Sequence, residues 1–472
     1  MLNNFKKVIG ITLAAVLTVS SLAGCGTKVD KSGRNADGKI VIRLGATPTE
    51  RTEKNAAEYD LFQERKAAFE AANPDIVIEA DSWSFDLRNY LTKAAAGDLP
   101  TMFYTAATEL SNLKNTGYIK DVTALAKKYG YVDGYDEEKF GDLYLRDDKV
   151  YGLVKDGSLS SIGVMYNKNV MKEAGLVDAN GKVLVPETWV ELAEMAQTVK
   201  KKTGKIGFAF PTSKNQGGWL FLNIGWAYGV EFMKQDENGK WIATFGDENG
   251  AAALQYIKDL KWKYNVLQPE TIASVSEQGK YLSTDAAAMT IFGPSILNNW
   301  VGSYDLDVKK IAMSTLPAGP KGKFSQQSGH LWVFTGTEEQ NEACFKWLDF
   351  IGQGAEVNDT MKKNIEDNAK VYAERKYAIG TGVSALWKDP DRIKAIEEVE
   401  APYVTVDKDD FAEFNAGDGV TYLPEPYVCG QQLYSVIDSC LQAVINDKNA
   451  DCKSIIEKAE KDFQLNYLDK EA

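Results

Sequence analysis

The chain has 472 residues, 44% of them hydrophobic and 26% charged, with a formal net charge of −13. That length and apolar content supply material for two domain cores. A surface this acidic argues against nucleic acid and against charge-driven docking on anionic lipid, because both need clustered Lys and Arg.

Residues 1–24 read as a secretory signal. Lys6 and Lys7 precede the apolar run Val8–Leu17, and the small, weakly polar Thr18–Gly24 follows. The apolar stretch Val8–Ala23 falls short of the roughly 20 residues of a transmembrane helix. Removing residues 1–24, with their two lysines and no acid, leaves a net charge of −15. Leu22-Ala23-Gly24-Cys25 resembles the bacterial lipoprotein box, which implies cleavage before Cys25 and acylation of its thiol. Residues 25–38 are rich in Gly, Ser, Lys and Asp and read as a flexible tether.

Lys39–Leu44 is rich in β-branched residues and predicts a strand. Tyr59–Ala72 carries Leu61, Phe62, Phe69 and Ala72 near helical spacing and stops at Asn73-Pro74. Ile76–Ile78 and Met102–Tyr104 predict two more strands, with a helix over Leu87–Ala96 between them. Strands alternating with helices at this spacing predict a parallel sheet. The pattern resumes after residue 160. Thr188 and Glu191 form a capping box opening a helix that runs to Lys201. Ile206–Phe210, Ala287–Phe292 and Lys310–Leu316 predict strands, and Ala251–Tyr264 a helix. Thr337 and Gln340 form a second capping box. Ser435–Ile445 and Ser454–Tyr467 predict the last helices.

Cys344, Cys429, Cys440 and Cys452 make no CxxC pair, which sets aside zinc and thioredoxin chemistry. Cys344 lies on an apolar helix face and reads as a buried small hydrophobe. A disulfide among the other three stays open, and spacing selects no partner.

Several segments, in order, resemble the extracellular solute-binding proteins of carbohydrate-uptake ABC transporters, the family that includes maltose-binding protein. They are AAAGDLPTMFY (94–104), NTGYIKDVTALAKKY (115–129), DDKVYGLVKDGSLSSIGVMYNKNVMKEAGL (147–176), PETWVELAEMAQTVK (186–200), MTIFGP (289–294) and LPAGPKG (316–322) through GHLWVF (329–334). The resemblance implies an α/β, two-lobe periplasmic-binding-protein-like fold, each lobe a mainly parallel sheet flanked by helices, with a hinge and a ligand cleft between them. It assigns 39–153 and 306–352 to lobe 1, and 157–300 and 356–472 to lobe 2. The chain is expected to cross between lobes near 153–157, 294–305 and 350–356. The implied function is capture of a sugar or oligosaccharide for an ABC permease, by a monomer held through Cys25 on the outer face of the bacterial cytoplasmic membrane. No cofactor, metal, nucleic acid or catalytic residue is expected.

A sugar has an apolar ring face and a rim of hydroxyls, so aromatic plates with a few acceptors and donors suit it. In α/β sheets, ligands meet the loops beyond the carboxyl ends of strands. That rule selects Glu50 and Arg51 after the first strand, Trp83 and Asp86 after the second, Tyr104 after the third, and Asn215, Gln216 and Trp219 after Ile206–Phe210. The resemblance supports Tyr104, Gln216 and Trp219 in particular. His330, Trp332 and Tyr427 are further candidates. Relatives often carry an aromatic where this chain has Ser295, and Trp300 is the candidate substitute plate. Each choice has a plainer competitor. Glu50 and Arg51 sit in a charged run that solvation explains equally. His330, the one histidine, also suits a structural role. Trp189 and Trp347 read as core, Trp262 as half-buried helix surface, and Trp226 divides between core and cleft wall.

Two other function classes compete. A secreted glycoside hydrolase needs a carboxylate pair, but with 67 Asp and Glu such pairs carry no information. A single histidine disfavours a Ser-His-Asp triad, and HExxH, GxSxG and GxxxxGK[ST] are absent. A binding protein for a non-sugar anion would want clustered Arg, which these loops lack.

Overall fold

The structure is a computed structural model that describes residues 29–53, 55–155, 160–382 and 386–470. The signal segment and residues 25–28, Cys25 among them, lie outside the described residues. Residues 29–38, expected to be a flexible tether, instead fold in turns against the first lobe: Val41 N donates to Gly33 O at 2.9 Å, and Arg34 pairs with Glu339 on α8 at 2.9 Å.

The chain opens with β1 (Ile40–Leu44), α1 (Ala56–Ala72), β2 (Ile76–Ala80), α2 (Leu87–Ala95) and β3 (Met102–Ala106). After a helical stretch come β4 (Gly152–Val154), β5 (Ser160–Ser161) and β6 (Gly163–Asn167), then α3 (Trp189–Thr203), β7 (Ile206–Phe208) and α4 (Gln216–Tyr228). The hairpin β8 (Met233–Gln235) and β9 (Trp241–Ala243) leads to α5 (Glu248–Trp262) and α6 (Val275–Ser283). Then follow β10 (Ala287–Phe292), α7 (Leu297–Tyr304), β11 (Ile311–Thr315), β12 (Lys323–Ser328), β13 (His330–Phe334) and α8 (Glu338–Phe350). The remainder contains α9 (Asp359–Glu374), α10 (Pro390–Glu400), β14 (Val420–Pro424), α11 (Gly430–Asn446) and α12 (Cys452–Asn466).

These strands build two lobes. The first sheet has the order β2-β1-β3-β13-β4, and the second β11-β6-β10-β7. β1 runs parallel to β2 and β3, while β13 runs antiparallel to both β3 and β4. In the second sheet β6 is antiparallel to β10 and β11, and β10 is parallel to β7. Each sheet is therefore parallel except for one reversed strand. Those strands, β13 and β6, are the ones the chain enters directly after crossing from the other lobe.

A third sheet, β14-β12-β5, spans the crossings. β12 leads through Gly329 into β13, and β5 leads through Ile162 into β6. Ser325 fastens the two crossings, since its hydroxyl accepts from Ile162 N at 2.8 Å and donates to Ile162 O at 3.0 Å. The crossing expected near 153–157 does occur, between the end of β4 at Val154 and the start of β5 at Ser160. The one expected at 294–305 does not: α7 packs in a small core of the second lobe with Met165, Ile311 and Phe411. The return lies at 328–330, so Ile311–Thr315, expected in lobe 1, is an edge strand of the second sheet. Residues just after 356, expected in lobe 2, pack on the first lobe. The Arg65 guanidinium donates to Asn364 O, and Trp387 meets Tyr135 edge-on at 4.5 Å and Tyr131 at a tilt at 5.9 Å.

Local signals explain where several helices begin. Asp86 caps α2 by accepting from Arg88 N, and Thr188 caps α3 by accepting from Glu191 N. Glu191 reaches Glu187 N rather than the N–H of Thr188, because Glu187–Trp189 is bridged to Ala318. The box expected there is thus displaced by one residue, whereas the Thr337–Gln340 box is complete. The four described cysteines are buried thiols. Among the described residues no helix is long and apolar enough to cross a membrane.

Candidate functional site

The carboxyl end of the first sheet carries an aromatic patch. Tyr104 on β3 is directly opposite Trp332 on β13, and Ala106 is opposite His330. Period-two alternation puts Tyr104, Trp332 and His330 on one face. The Tyr104 ring meets Trp332 edge-on at 5.5 Å and His330 edge-on at 5.6 Å. Lys155, where the chain leaves the first lobe, sets its ammonium 5.1 Å from the Tyr104 ring and 5.5 Å from that of Trp332. His330 is exposed, and the other two rings are half-buried. The Trp332 indole is fixed by donation to Gln353 Oε1 at 2.8 Å.

The second lobe contributes the start of α4. Lys214 and Asn215 are consecutive residues in the left-handed region, with φ of 59° and 66°. Non-glycine residues hold that conformation only where the surroundings over-determine it. Here Asp438 does so. Its carboxylate accepts from Asn215 N at 2.7 Å and Gly218 N at 2.8 Å. Gly218 lets the helix approach closely, since a Cβ there would lie 2.1 Å from Tyr434 O. The Asn215 amide donates to Gln431 Oε1 at 3.2 Å, and Gln216 Oε1 accepts from Val275 N at 2.8 Å. Trp219 is half-buried against Phe292 at 5.1 Å. With the Gln326 amide oxygen facing the indole, Trp219 Nε1 donates to it at 2.7 Å. Gln326 is four residues before His330 on one crossing, about 13 Å along extended chain. That spacing puts Trp219 and the first-lobe patch on either side of the hinge.

The lobes touch at a seam. Gln431 Nε2 donates to Thr108 Oγ1 at 3.3 Å, and the Arg146 guanidinium lies 5.0 Å from the Tyr427 ring. Beside Thr108, Glu109 is only 5% exposed and accepts from the Asn112 amide. Burial pushes its carboxyl above the usual range. Asp438 is also 5% exposed, and burial raises its pKa against the opposing pull of its N–H donors. No cluster of three or more potential metal ligands occurs among the described residues.

The other expected residues are engaged elsewhere. Arg51 forms a two-pronged ion pair with Asp60, both contacts at 2.8 Å, and the exposed Glu50 accepts from Asn55 through its carbonyl. Trp83 packs edge-on against Phe103 at 5.2 Å and donates to Asn89, so its ring caps the first core. Asp86 is a helix cap paired with Arg88. Trp300 is 2% exposed and packed against Gly279, so it is core and not a substitute plate. Tyr427 is at the seam beside Trp241. The sequence reading missed Thr108, Glu109, Lys155, Gln431 and Asp438. The strand-end rule, carried a few residues past Tyr104, would have found the first two.

Residues 50–353 match the family model described as bacterial extracellular solute-binding protein. A putative binding protein of Brucella abortus is 24% identical over 344 residues, covering 68% of this chain and 77% of that protein. The sn-glycerol-3-phosphate-binding periplasmic protein of Escherichia coli K12 is 24% identical over 313 residues, covering 60% and 65%. The fold is similar to that of an ABC substrate-binding protein of Listeria monocytogenes solved with cycloalternan, with a TM-score of 0.64, 17% identity and coverage of 91% and 99%. The matched segment runs through both sheets and both crossings that hold the patch, and the chain belongs to the bacterial extracellular solute-binding proteins.

Proposed function

We propose that this chain is the substrate-binding subunit of an ABC importer. It captures a sugar or oligosaccharide between its lobes and delivers it to a membrane permease, without chemical change to the solute. The observation that carries this reading is the half-buried Tyr104–Trp332 pair at the hinge, faced across the crossing by Trp219. Aromatic faces cover the apolar side of a sugar ring, while Asn215, Gln216 and Glu109 offer amides and a carboxylate to its hydroxyls. The cycloalternan complex of the Listeria protein supports a carbohydrate. Export fits the family, and Cys25 is the proposed site of the lipid anchor.

A second reading has one specific observation behind it. Lys155 places a cation on the same patch, and the E. coli relative is named for glycerol 3-phosphate. A phosphate there would meet Lys155, whose ammonium lies over the Tyr104 and Trp332 rings. A thermal-shift screen of the mature protein separates the readings. It compares monosaccharides and oligosaccharides with sn-glycerol 3-phosphate and glycerophosphocholine, alongside an assay for new reducing ends. A shift with a sugar and no product supports capture. A shift with phosphate esters alone supports the second reading, and new reducing ends support hydrolysis.

A further inference from the structure

A groove of about 450 Å³ opens on the second lobe between the end of α4, the β8–β9 hairpin and the end of β14. Its walls include Trp226, Trp241 and Tyr427, with Glu231 and Lys321 at the rim. That volume is in the range of small-molecule sites. Trp226 and Trp241 are half-buried, Trp241 edge-on to Tyr427 at 5.6 Å and Trp226 edge-on to Phe232 at 6.2 Å. Among the described residues neither indole N–H reaches an acceptor. Those of Trp83, Trp219, Trp262 and Trp332 do, and those of Trp189 and Trp387, sealed inside the cores, do not; the two in the groove differ in facing an open cavity.

The groove meets the seam between the lobes at Tyr427. Glu425, in its wall, accepts from the Tyr434 hydroxyl at 2.7 Å, and Tyr434 packs on Gly218 at the start of α4. Tyr427 carries Arg146 of the first lobe over its ring. Four residues beyond Tyr427, Gln431 reaches Thr108.

We infer that this groove is a second carbohydrate subsite, which takes the outlying rings of a linear oligosaccharide whose end is held at the hinge. The inference rests on the carbohydrate reading above. Its own basis is the lining. Aromatic plates with two unengaged indole donors, a carboxylate and an ammonium match an apolar ring face edged with hydroxyls. A purely apolar occupant would cover both indole N–H groups without acceptors, while Glu231, paired with Lys234 at 3.8 Å, stays at the exposed rim.

The test is calorimetric titration of the mature protein and of Trp226→Ala and Trp241→Phe. The probes are α-1,4- and β-1,4-linked glucose oligomers, as disaccharide and heptasaccharide. Wild-type protein should bind the longer oligomer more tightly. Trp226→Ala should weaken that binding about tenfold and leave the disaccharide unchanged. Trp241→Phe keeps a ring and loses the N–H, so it should show a smaller loss for the long oligomer only. Melting curves and the retained disaccharide affinity report that the variants are folded. The inference is overturned if both variants bind the long oligomer as wild type does, or if both oligomers weaken together. Variants with normal sugar binding but lost uptake in cells would assign the groove to the permease instead, also overturning it. If the mature protein binds neither oligomer series, the carbohydrate reading fails and the inference falls with it.

Discussion

The carboxylate of Asp438, in the third turn of α11, accepts the backbone N–H of Asn215 at 2.7 Å and so holds a left-handed residue at the start of α4. Replacing Asp438 with Ala leaves that N–H and the one of Gly218 buried without acceptors. An unmatched buried polar group costs about 1–3 kcal/mol. Asp438→Ala should lower the melting temperature and weaken ligand binding, because Asn215 and Gln216 lose their placement. Asp438→Asn keeps one acceptor and should lose less of both. Equal affinity in all three proteins would separate Asp438 from the site.

Glu109 gives a pH signature. Burial raises its folded pKa above the ordinary 4.5, so the folded chain holds this proton more tightly than the unfolded chain does. Its contribution to stability is therefore most favourable at low pH and is lost as pH rises from 4.5 through the raised value. Gln at this position has no proton to lose. The melting temperature of Glu109→Gln relative to wild type should climb as pH rises through that window, while affinity for a hydroxyl-bearing ligand falls. A difference that stays constant with pH would show that Glu109 does not titrate in this way.

Trp300 and Trp219 should respond differently. Trp300 is core, and truncating such a ring costs about 3–5 kcal/mol. Trp300→Ala should melt early, yet its folded fraction should bind as wild type does. Trp219→Ala should lose at least about tenfold in affinity, since its ring is set toward the hinge. It should also lose some stability, because Gln326 is deprived of its indole donor. Titration and melting of the two variants side by side check both outcomes.

Much of the fold was legible in the sequence because it is written locally. β1, α2 and β10 match their expected bounds within a residue or so, and the Thr337 cap is where the motif puts it. The hinge sheet was not legible. It joins Ser160–Ser161, Lys323–Ser328 and Val420–Pro424, three segments far apart in the chain, and β5 is two residues long. The proposed site was legible in part for the same reason. Tyr104, Asn215 and Gln216 follow from the strand-end rule. Trp83 obeys the rule too, but its ring turns onto Phe103, and Trp300 is absorbed by a small core that no local pattern announces.

Lobe closure is the motion that this architecture permits. The chain passes between the lobes between Lys155 and Ser160, at 328–330, and between Trp387 and Val406, and the seam rests on contacts such as Gln431 to Thr108. A ligand that gains contacts only in the closed state shifts the population toward it. Small-angle scattering should show a smaller radius of gyration at saturation. Gln431→Ala should need more ligand to reach that compaction, and an unaltered requirement would remove the seam from the closing movement.

The central claim is that a sugar binds at the hinge between the lobes, against Tyr104. Calorimetric titration of the mature protein and of Tyr104→Ala tests it most directly, with the sugar that gives the largest thermal shift and with sn-glycerol 3-phosphate. The account predicts one sugar bound per chain, an affinity at least about tenfold weaker in Tyr104→Ala, and no saturable binding of the phosphate. Sugar binding that is unaltered in Tyr104→Ala, or saturation by the phosphate alone, would contradict it.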